Sequence, residues 1–171
     1  SYPTGADSLP NWQEGIQYEV RSRAKDNTGN TETPLVKTFT YDTKAPTTTV
    51  VNPAASYVVA VSSLYGGISD VVSGLARVQI AIKRQDNKFW DGGAFTITCA
   101  PNCSSNPYLD AALHFSSWSY TNTTLSSFFA NSLTALTYTV YMAGSDVAGN
   151  INRSTTTAPT GAGSATFTVD H

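Results

Sequence analysis

The sequence predicts an all-β fold in which an antiparallel β-sandwich follows a separate β-hairpin. Apolar and polar residues alternate along several short runs, which is the pattern of half-buried strands. Turn phrases built from Asp, Asn and Gly separate these runs. Sustained helical spacing is absent from the sequence, although residues 125–133 could hold a short turn of helix.

The chain also repeats part of itself. The segment YEVRSRAKDNTGN, which begins at Tyr18, returns as YTVYMAGSDVAGN at Tyr138, 120 positions later. The phrase FTYD, which ends at Asp42, returns as FTVD at Asp170, 128 positions later. Self-similarity at a nearly constant offset indicates repeated structural units. Since one β-sandwich takes about 100–130 residues, we expect one whole repeat, preceded by the last strands of another.

The boundary between the two units is predicted at the segment DTKAP. It follows a strand-like run, and Pro46 interrupts the hydrogen-bond ladder before a new run begins. We therefore predict a hairpin over residues 1–42, a linker over 43–46 and a complete sandwich over 47–171. The hairpin strands are predicted at 16–25 and 35–41, and the sandwich strands at 47–52, 57–65, 75–84, 93–99, 112–120, 136–144 and 164–169.

Alternation in two of these regions predicts which side chains are buried. In the run 75–84, Val78, Ile80 and Ile82 are expected to face inward, and the outward positions are Arg77, Gln79 and Lys83. In the hairpin, one apolar face is expected, formed by Tyr18, Val20, Ala24, Phe39 and Tyr41.

That apolar face needs a cover, because a two-stranded hairpin alone is marginally stable in water. Exposed strand edges also pair readily with other strands. Two explanations stay open. The hairpin is the remnant of a preceding repeat in a tandem array, or it docks on another subunit so that subunits join head to tail into a filament. We favour cover by another chain.

Composition argues against several classes of function. The chain has 171 residues, of which 40% are hydrophobic and 13% charged, with a net charge of -2 and no basic run. Nucleic-acid binding is therefore not expected, and no apolar segment reaches the roughly 20 residues of a membrane span. Residues 46–171 contain no Glu, and the motifs of nucleophilic, zinc-dependent or phosphate-binding sites are absent from the sequence. We expect no enzyme activity and no required cofactor.

The two cysteines, Cys99 and Cys103, form the motif CAPNC. The intervening Pro and Asn can form a turn, which favours a small-loop disulfide over two free thiols. A metal site is the weakest alternative because no other thiol or nearby His completes a ligand set. A disulfide would indicate an oxidising, extracellular compartment.

Several phrases together resemble the bacterial immunoglobulin-like repeats that occur in tandem in large secreted and surface proteins. They are the linker YDTKAP, the segment from Ser69 to Ile82, FWDGGAF from Phe89, WSY from Trp118, and the Tyr-x-Val and Asp-x-x-Gly-Asn phrases before a final strand. The resemblance implies an immunoglobulin-like sandwich at the cell surface or outside the cell. It implies a structural or adhesive role, with other copies of the chain or neighbouring repeats as partners.

In such a sandwich, the turns near Asp70 and Asp146 are expected at the end where the linker carrying Asp42 arrives. These three carboxylates with Asn150 could supply oxygen ligands for calcium, which would stiffen the joint between repeats. The competing interpretation is that each Asp only caps its own turn.

The main alternative function is a carbohydrate-binding module. Phe89, Trp90, Tyr108, Trp118 and Tyr120 could form an aromatic platform for sugar rings. Sandwiches of this size normally bury a Trp or two in the core, so we expect packing roles for these residues and regard carbohydrate as the weaker expectation.

Overall fold

The computed structural model describes residues 10–99, 102–153 and 163–171. Within them the chain forms thirteen strands and one short helix, nearly all paired antiparallel, which confirms the all-β prediction. The chain divides into two compact units, Ser1–Thr43 and Lys44–His171. No helix in the described residues is long and apolar enough to span a membrane.

The first unit is a β-hairpin. Strand β1 (Gln17–Ser22) pairs antiparallel with β2 (Leu35–Thr40), with Tyr18 opposite Phe39 and Val20 opposite Lys37. Directly opposite residues share a face of a sheet. The predicted apolar face therefore also carries the charged side chain of Lys37.

The second unit holds the other eleven strands and the helix. They are β3 (Thr47–Thr48), β4 (Tyr57–Val58), β5 (Leu64–Ser69), β6 (Leu75–Arg84), β7 (Lys88–Trp90), β8 (Phe95–Thr98), β9 (Leu109–Asp110), β10 (Ala112–Leu113), β11 (Ser117–Tyr120), α1 (Thr123–Ala130), β12 (Leu136–Asp146) and β13 (Ser164–Val169).

These strands build two sheets. One has four strands in the order β10-β11-β5-β3, and the other has seven, in the order β4-β13-β12-β6-β7-β8 with β9 also paired to β6. The pairing of β13 with β4 is parallel, and the other pairs are antiparallel. The two sheets enclose one hydrophobic core, so the second unit is an all-β sandwich.

The core lies between the inner faces of the two sheets and is rich in aromatic side chains. Its largest fully buried members are Trp90, Trp118, Tyr138, Phe129 and Phe167. Trp118 donates a hydrogen bond from Nε1 to the carbonyl oxygen of Thr49, at 3.0 Å, which satisfies the buried indole nitrogen. Of the predicted strand 75–84, Val78, Ile80 and Ile82 face this core and are fully buried.

The outer face of the seven-stranded sheet is covered as well. Ala81, Phe89, Ile97, Tyr108 and Ala143 form a second apolar cluster, against which Cys99 and Cys103 pack. Gln79 was predicted to face outward, and exposure to solvent on that face was expected. This prediction is wrong, because Gln79 is buried. Its amide accepts from Arg153 at 2.8 Å and donates to Asp110 at 3.1 Å.

Two predicted strands differ from the structure in their bounds. The run 57–65 leaves the ladder after Val58, and the pairing resumes at Leu64, where Gly66 and Gly67 allow close approach of the chain near Thr49. The run 112–120 is a tight hairpin of two short strands, because His114 N–H donates to the Ser117 carbonyl at 2.8 Å.

The helix α1 begins earlier than the predicted turn of helix. Asn122 is its N-cap, and the Asn122 Oδ1 accepts from the backbone N–H of Leu125 at 2.9 Å. Leu125 and Phe129, one turn apart, place their side chains in the core. The capping residue and this spacing are both visible in the sequence.

A substitution at Gly66 tests the close packing of β5 against Thr49 and Trp118. A Cβ added at Gly66 would overlap the Thr49 carbonyl and lie 2.8 Å from Trp118 Nε1. We expect Gly66→Ala to lower the free energy of unfolding by about 2–4 kcal/mol, from overpacking and loss of the indole hydrogen bond.

The matched control is Gly93→Ala, where the nearest heavy atom to the added Cβ is Asp91 Oδ1 at 3.7 Å. Chemical denaturation of both variants, followed by tryptophan fluorescence, measures the difference. Equal stabilities for the two variants would contradict this account of the close approach.

Candidate functional site

Two acidic turns lie side by side at one end of the sandwich in the second unit. The turn 70–74 joins β5 to β6, and the turn 146–150 follows β12. They meet because β6 pairs with β12 from Tyr138 to Asp146, with Asp146 opposite Leu75 after a bulge. The predicted site residues Asp70, Asp146 and Asn150 all belong to these two turns.

Asp70 organises the first turn. Its Oδ1 accepts backbone hydrogen bonds from Val72 at 3.0 Å and from Gly74 at 2.7 Å. Gly74 has a φ of +84°, a conformation that favours glycine. This carboxylate therefore caps its own turn.

Asp146 organises the second turn in the same way but from a buried position, with 3% of the residue exposed. Its Oδ1 accepts from the Asn150 backbone N–H at 2.8 Å, and its Oδ2 accepts from Asn150 Nδ2 at 2.9 Å. Hydrogen bonds to both oxygens are the condition for keeping a carboxylate buried.

Contacts between the two turns bring the carboxylates together. Val147 N–H donates to the Gly74 carbonyl at 3.0 Å, and Ala148 N–H donates to Ser73 Oγ at 3.4 Å. One carboxylate oxygen of Asp70 lies within 4.8 Å of one of Asp146. At this separation two negative charges repel each other, and a cation bound between them would be stabilised.

The third predicted carboxylate, Asp42, belongs to the first unit, where it follows β2 and is partly buried. Only Asp70 and Asp146 are therefore brought together within one unit. The calcium site remains a prediction, with its two sandwich carboxylates each engaged in capping a turn.

The predicted assembly residues lie in or next to the hairpin. Tyr18, Val20 and Phe39 share one face of β1 and β2. Tyr41 follows β2 and pairs through its backbone with Ile16, whose carbonyl oxygen accepts from Tyr41 N–H at 3.0 Å. Ala24 lies past the end of β1, where its N–H donates to Glu32 Oε1 at 2.7 Å.

Trp12 is a member of this face that the alternation pattern does not reveal, because it lies ahead of β1. Its ring packs edge-on against Tyr18, with centroids 4.6 Å apart, and against Phe39, at 5.3 Å. Gln13 N–H donates to the Tyr18 hydroxyl at 2.8 Å and holds this segment in place. The hairpin thus covers part of its own apolar face.

The same local structure occurs in both units. Tyr18 is opposite Phe39 in the first unit, and Tyr138 is opposite Phe167 in the second. The paired rings are stacked at 5.7 Å and 28° in the first unit, and at 5.6 Å and 25° in the second. The repeat found in the sequence is therefore also present in the structure.

The turn after the first strand is also repeated. Asp26 accepts from the Asn30 backbone at 2.8 Å and from Asn30 Nδ2 at 2.8 Å, as Asp146 does from Asn150. Gly29 and Gly149 adopt φ values of +99° and +95°. The phrase Asp-x-x-Gly-Asn encodes one turn geometry at two places.

Most of the residues considered for an aromatic platform are inside the sandwich. Trp90 and Trp118 are 0% and 1% exposed, and Phe89 and Tyr108 are also buried. The hydroxyl of Tyr120 accepts from Trp90 Nε1 at 3.3 Å, a contact at the border of the core. These positions give packing roles to the residues, and carbohydrate binding stays the alternative prediction.

Cys99 and Cys103 are joined by a disulfide in the structure. They follow β8, and Ser104 N–H donates to the Thr98 carbonyl at 2.8 Å, so the chain turns back on itself here. Residues 100–101 of the loop lie outside the described residues. The two half-cystines pack on the outer apolar cluster of the seven-stranded sheet.

Comparison with known proteins finds no protein family, no curated protein and no solved structure that matches this chain.

The Asp26 turn provides a pH test of the repeated geometry. Hydrogen bonds from the side chains of Asn30 and Thr28 hold the pKa of Asp26 at about 2, below its ordinary 3.8. Because the pKa is lowered in the folded hairpin, the stabilisation is complete above pH 3.8 and is lost as the pH falls through about 2.

An NMR titration of the Thr28 and Asn30 amide protons should show a midpoint near pH 2. Asp26→Asn is the control, and it should abolish the transition. A midpoint near 3.8 would mean that the carboxylate does not hold the turn in solution.

Proposed function

We propose that this chain is a segment of an extracellular, immunoglobulin-like repeat protein of bacterial origin with a structural or adhesive role. The observation that carries the proposal is the repeated hairpin, which has the same Tyr–Phe register and the same Asp-x-x-Gly-Asn turn in both units. Repetition of one structural unit along a chain is typical of extended arrays, and such arrays suit a mechanical function. The proposed role involves no catalysis and no required cofactor.

One feature supports an extracellular setting. Cys99 and Cys103 are bonded to each other, and disulfides persist in oxidising compartments.

We further propose that the hairpin of the first unit complements the sheet of another chain and links subunits into a filament. Val20 is 53% exposed, although it belongs to the apolar face of β1. Burial of a Val side chain contributes about 1.5–3 kcal/mol. A head-to-tail contact between two different surfaces produces filaments when it does not close into a ring.

Val20→Lys tests the filament. Static light scattering and negative-stain electron microscopy of the full chain should show oligomers or fibres, and the variant should be mainly monomeric because a charge occupies the contact. Thr38→Lys is the matched control, since Thr38 lies on the opposite face beside Glu19 and should leave assembly unchanged. A wild-type chain that stays monomeric at all concentrations would exclude the filament and leave the tandem-array explanation.

Calcium binding at the acidic turns is the third part of the proposal, supported by the carboxylate oxygens of Asp70 and Asp146 within 4.8 Å. A ligand that binds only the folded state stabilises it by about 2.7 kcal/mol at 100 times its Kd. We therefore expect a higher melting temperature in millimolar calcium than in chelator.

The double variant Asp70→Asn with Asp146→Asn should abolish that difference, because it removes both charges and keeps amide oxygens in the turns. Asp26→Asn is the matched control, since it alters the same turn geometry in the first unit. Identical melting of the wild-type chain with calcium and with chelator would exclude the site.

A further inference from the structure

A small cavity lies on the outer face of the seven-stranded sheet in the second unit. It is lined by Arg77 and Gln79 of β6, by residues 143–145 of β12, and by Ile151 and Arg153. Its volume is about 50 Å³. Since one water-sized sphere occupies about 10–15 Å³, the cavity has room for a few heavy atoms of a ligand.

Gln79 links the two arginines at this cavity. The residue is only 6% exposed, and both ends of its amide are used. Its Oε1 accepts from Arg153 Nη1 at 2.8 Å, and its Nε2 donates to Asp110 Oδ1 at 3.1 Å. Asp110 in turn accepts two hydrogen bonds from Arg77, at 2.6 Å and 2.8 Å. A buried amide that is bonded at both ends fixes the groups that it joins.

The guanidinium of Arg153 is held from a second side as well. Its Cζ lies over the ring of Tyr108, 5.2 Å from the ring centroid, which is a cation–π contact. Tyr108 belongs to the buried apolar cluster on this face of the sheet. The Arg153 side chain is therefore positioned before any ligand arrives, and such preorganisation lowers the entropic cost of binding.

The protein's own groups satisfy Arg153 only in part. Its Nε is buried and has no hydrogen-bond partner, and the same is true of the Tyr108 hydroxyl. A buried donor without an acceptor is unfavourable, and more so when it carries charge. Arg77 gives its Nε and Nη2 to the carboxylate of Asp110. Within the described residues, Arg153 forms no ion pair through the same edge of its guanidinium.

The ion pairs of this cluster leave one positive charge unbalanced. Arg77 and Arg153 contribute two positive charges, and in the described part of the chain Asp110 is the one carboxylate that pairs with either of them. Hydrogen bonds from Arg77 lower the pKa of Asp110, so this carboxylate is ionised at neutral pH. A monoanion in the cavity would balance the remaining charge and accept charge-assisted hydrogen bonds.

We infer that this cavity is a binding site for a small carboxylate monoanion, held between Arg153 and Arg77. A planar carboxylate matches the edge of a guanidinium, as Asp110 matches Arg77. Ser145, half-buried in the cavity wall, adds a hydroxyl that can donate. The volume limits the enclosed group to the carboxylate and a short carbon chain. The site uses neither the hairpin nor the carboxylates of the acidic turns, so it stands independently of the function proposed above.

Titration of the isotope-labelled full chain with sodium acetate at neutral pH, followed by NMR, tests the site. Sodium chloride keeps the ionic strength constant, so that a change in screening does not contribute. We expect the Arg153 Nε–H signal and the Ser145 amide signal to shift saturably, with a Kd in the millimolar range, as expected for so small a ligand. If neither signal shows a saturable shift, the inference is overturned.

Arg153→Lys keeps the positive charge and removes the planar edge of the guanidinium. It should weaken acetate binding at least about tenfold, measured at the Ser145 amide. Arg23→Lys is the matched control, because Arg23 is exposed in the first unit, and it should leave the Kd unchanged. Equal Kd values for the two variants would show that the Arg153 guanidinium does not hold acetate, and would overturn the inference.

Three further probes define the class of ligand. Acetamide has the shape of acetate without its charge, and phosphate is tetrahedral, so both should bind at least about tenfold more weakly than acetate. Binding of either probe as tight as that of acetate would overturn the assignment to a carboxylate. Glucuronate carries its carboxylate on a sugar ring and should bind no more tightly than acetate, because the ring stays outside the cavity. Tighter binding of glucuronate would overturn the size limit and assign the carboxylate to a sugar acid.

Discussion

The pairing of β12 with β6 on one edge and β13 on the other is the interaction on which the second unit depends. It places Tyr138, Val140 and Met142 on the inner face, where they are buried almost completely. It also brings the turns after β5 and after β12 together, because the ends of the two long strands coincide. The core and the acidic turns thus have one origin, which is the register of two neighbouring strands.

The first unit contains the same kind of hairpin, formed by β1 and β2, and within the described residues its sheet has no strand equivalent to β6. The Tyr–Phe stack, the Asp-capped turn and the edge-on aromatic ring are all present, since these are local interactions. The aliphatic side chain of Val20 beside them stays half exposed, because its burial needs a facing layer that a hairpin does not contain. The contacts within the hairpin are therefore insufficient to bury Val20. The apolar face proposed for assembly includes this exposed side chain.

Several features could be predicted from the sequence because their causes are local. Alternation along 75–84 and 164–169 matches β6 and β13 to the residue, since side chains in a strand alternate between its two faces. The Asp-x-x-Gly-Asn phrase identifies two equal turns because the hydrogen bonds lie within five residues. Trp12 and the burial of Gln79 could not be predicted in this way, because each depends on a segment that folds back from elsewhere in the chain.

The sequence by itself determined the all-β class, the repeat and the turns, since these follow from side-chain periodicity and short-range hydrogen bonding. Only the tertiary structure decided that Trp12 joins the aromatic face of the hairpin, that the outer face of the larger sheet is covered, and that Gln79 is buried. These features depend on which strands become neighbours. Strand neighbours are chosen by the burial of whole faces, and that burial is a property of the assembled sandwich that no short segment contains.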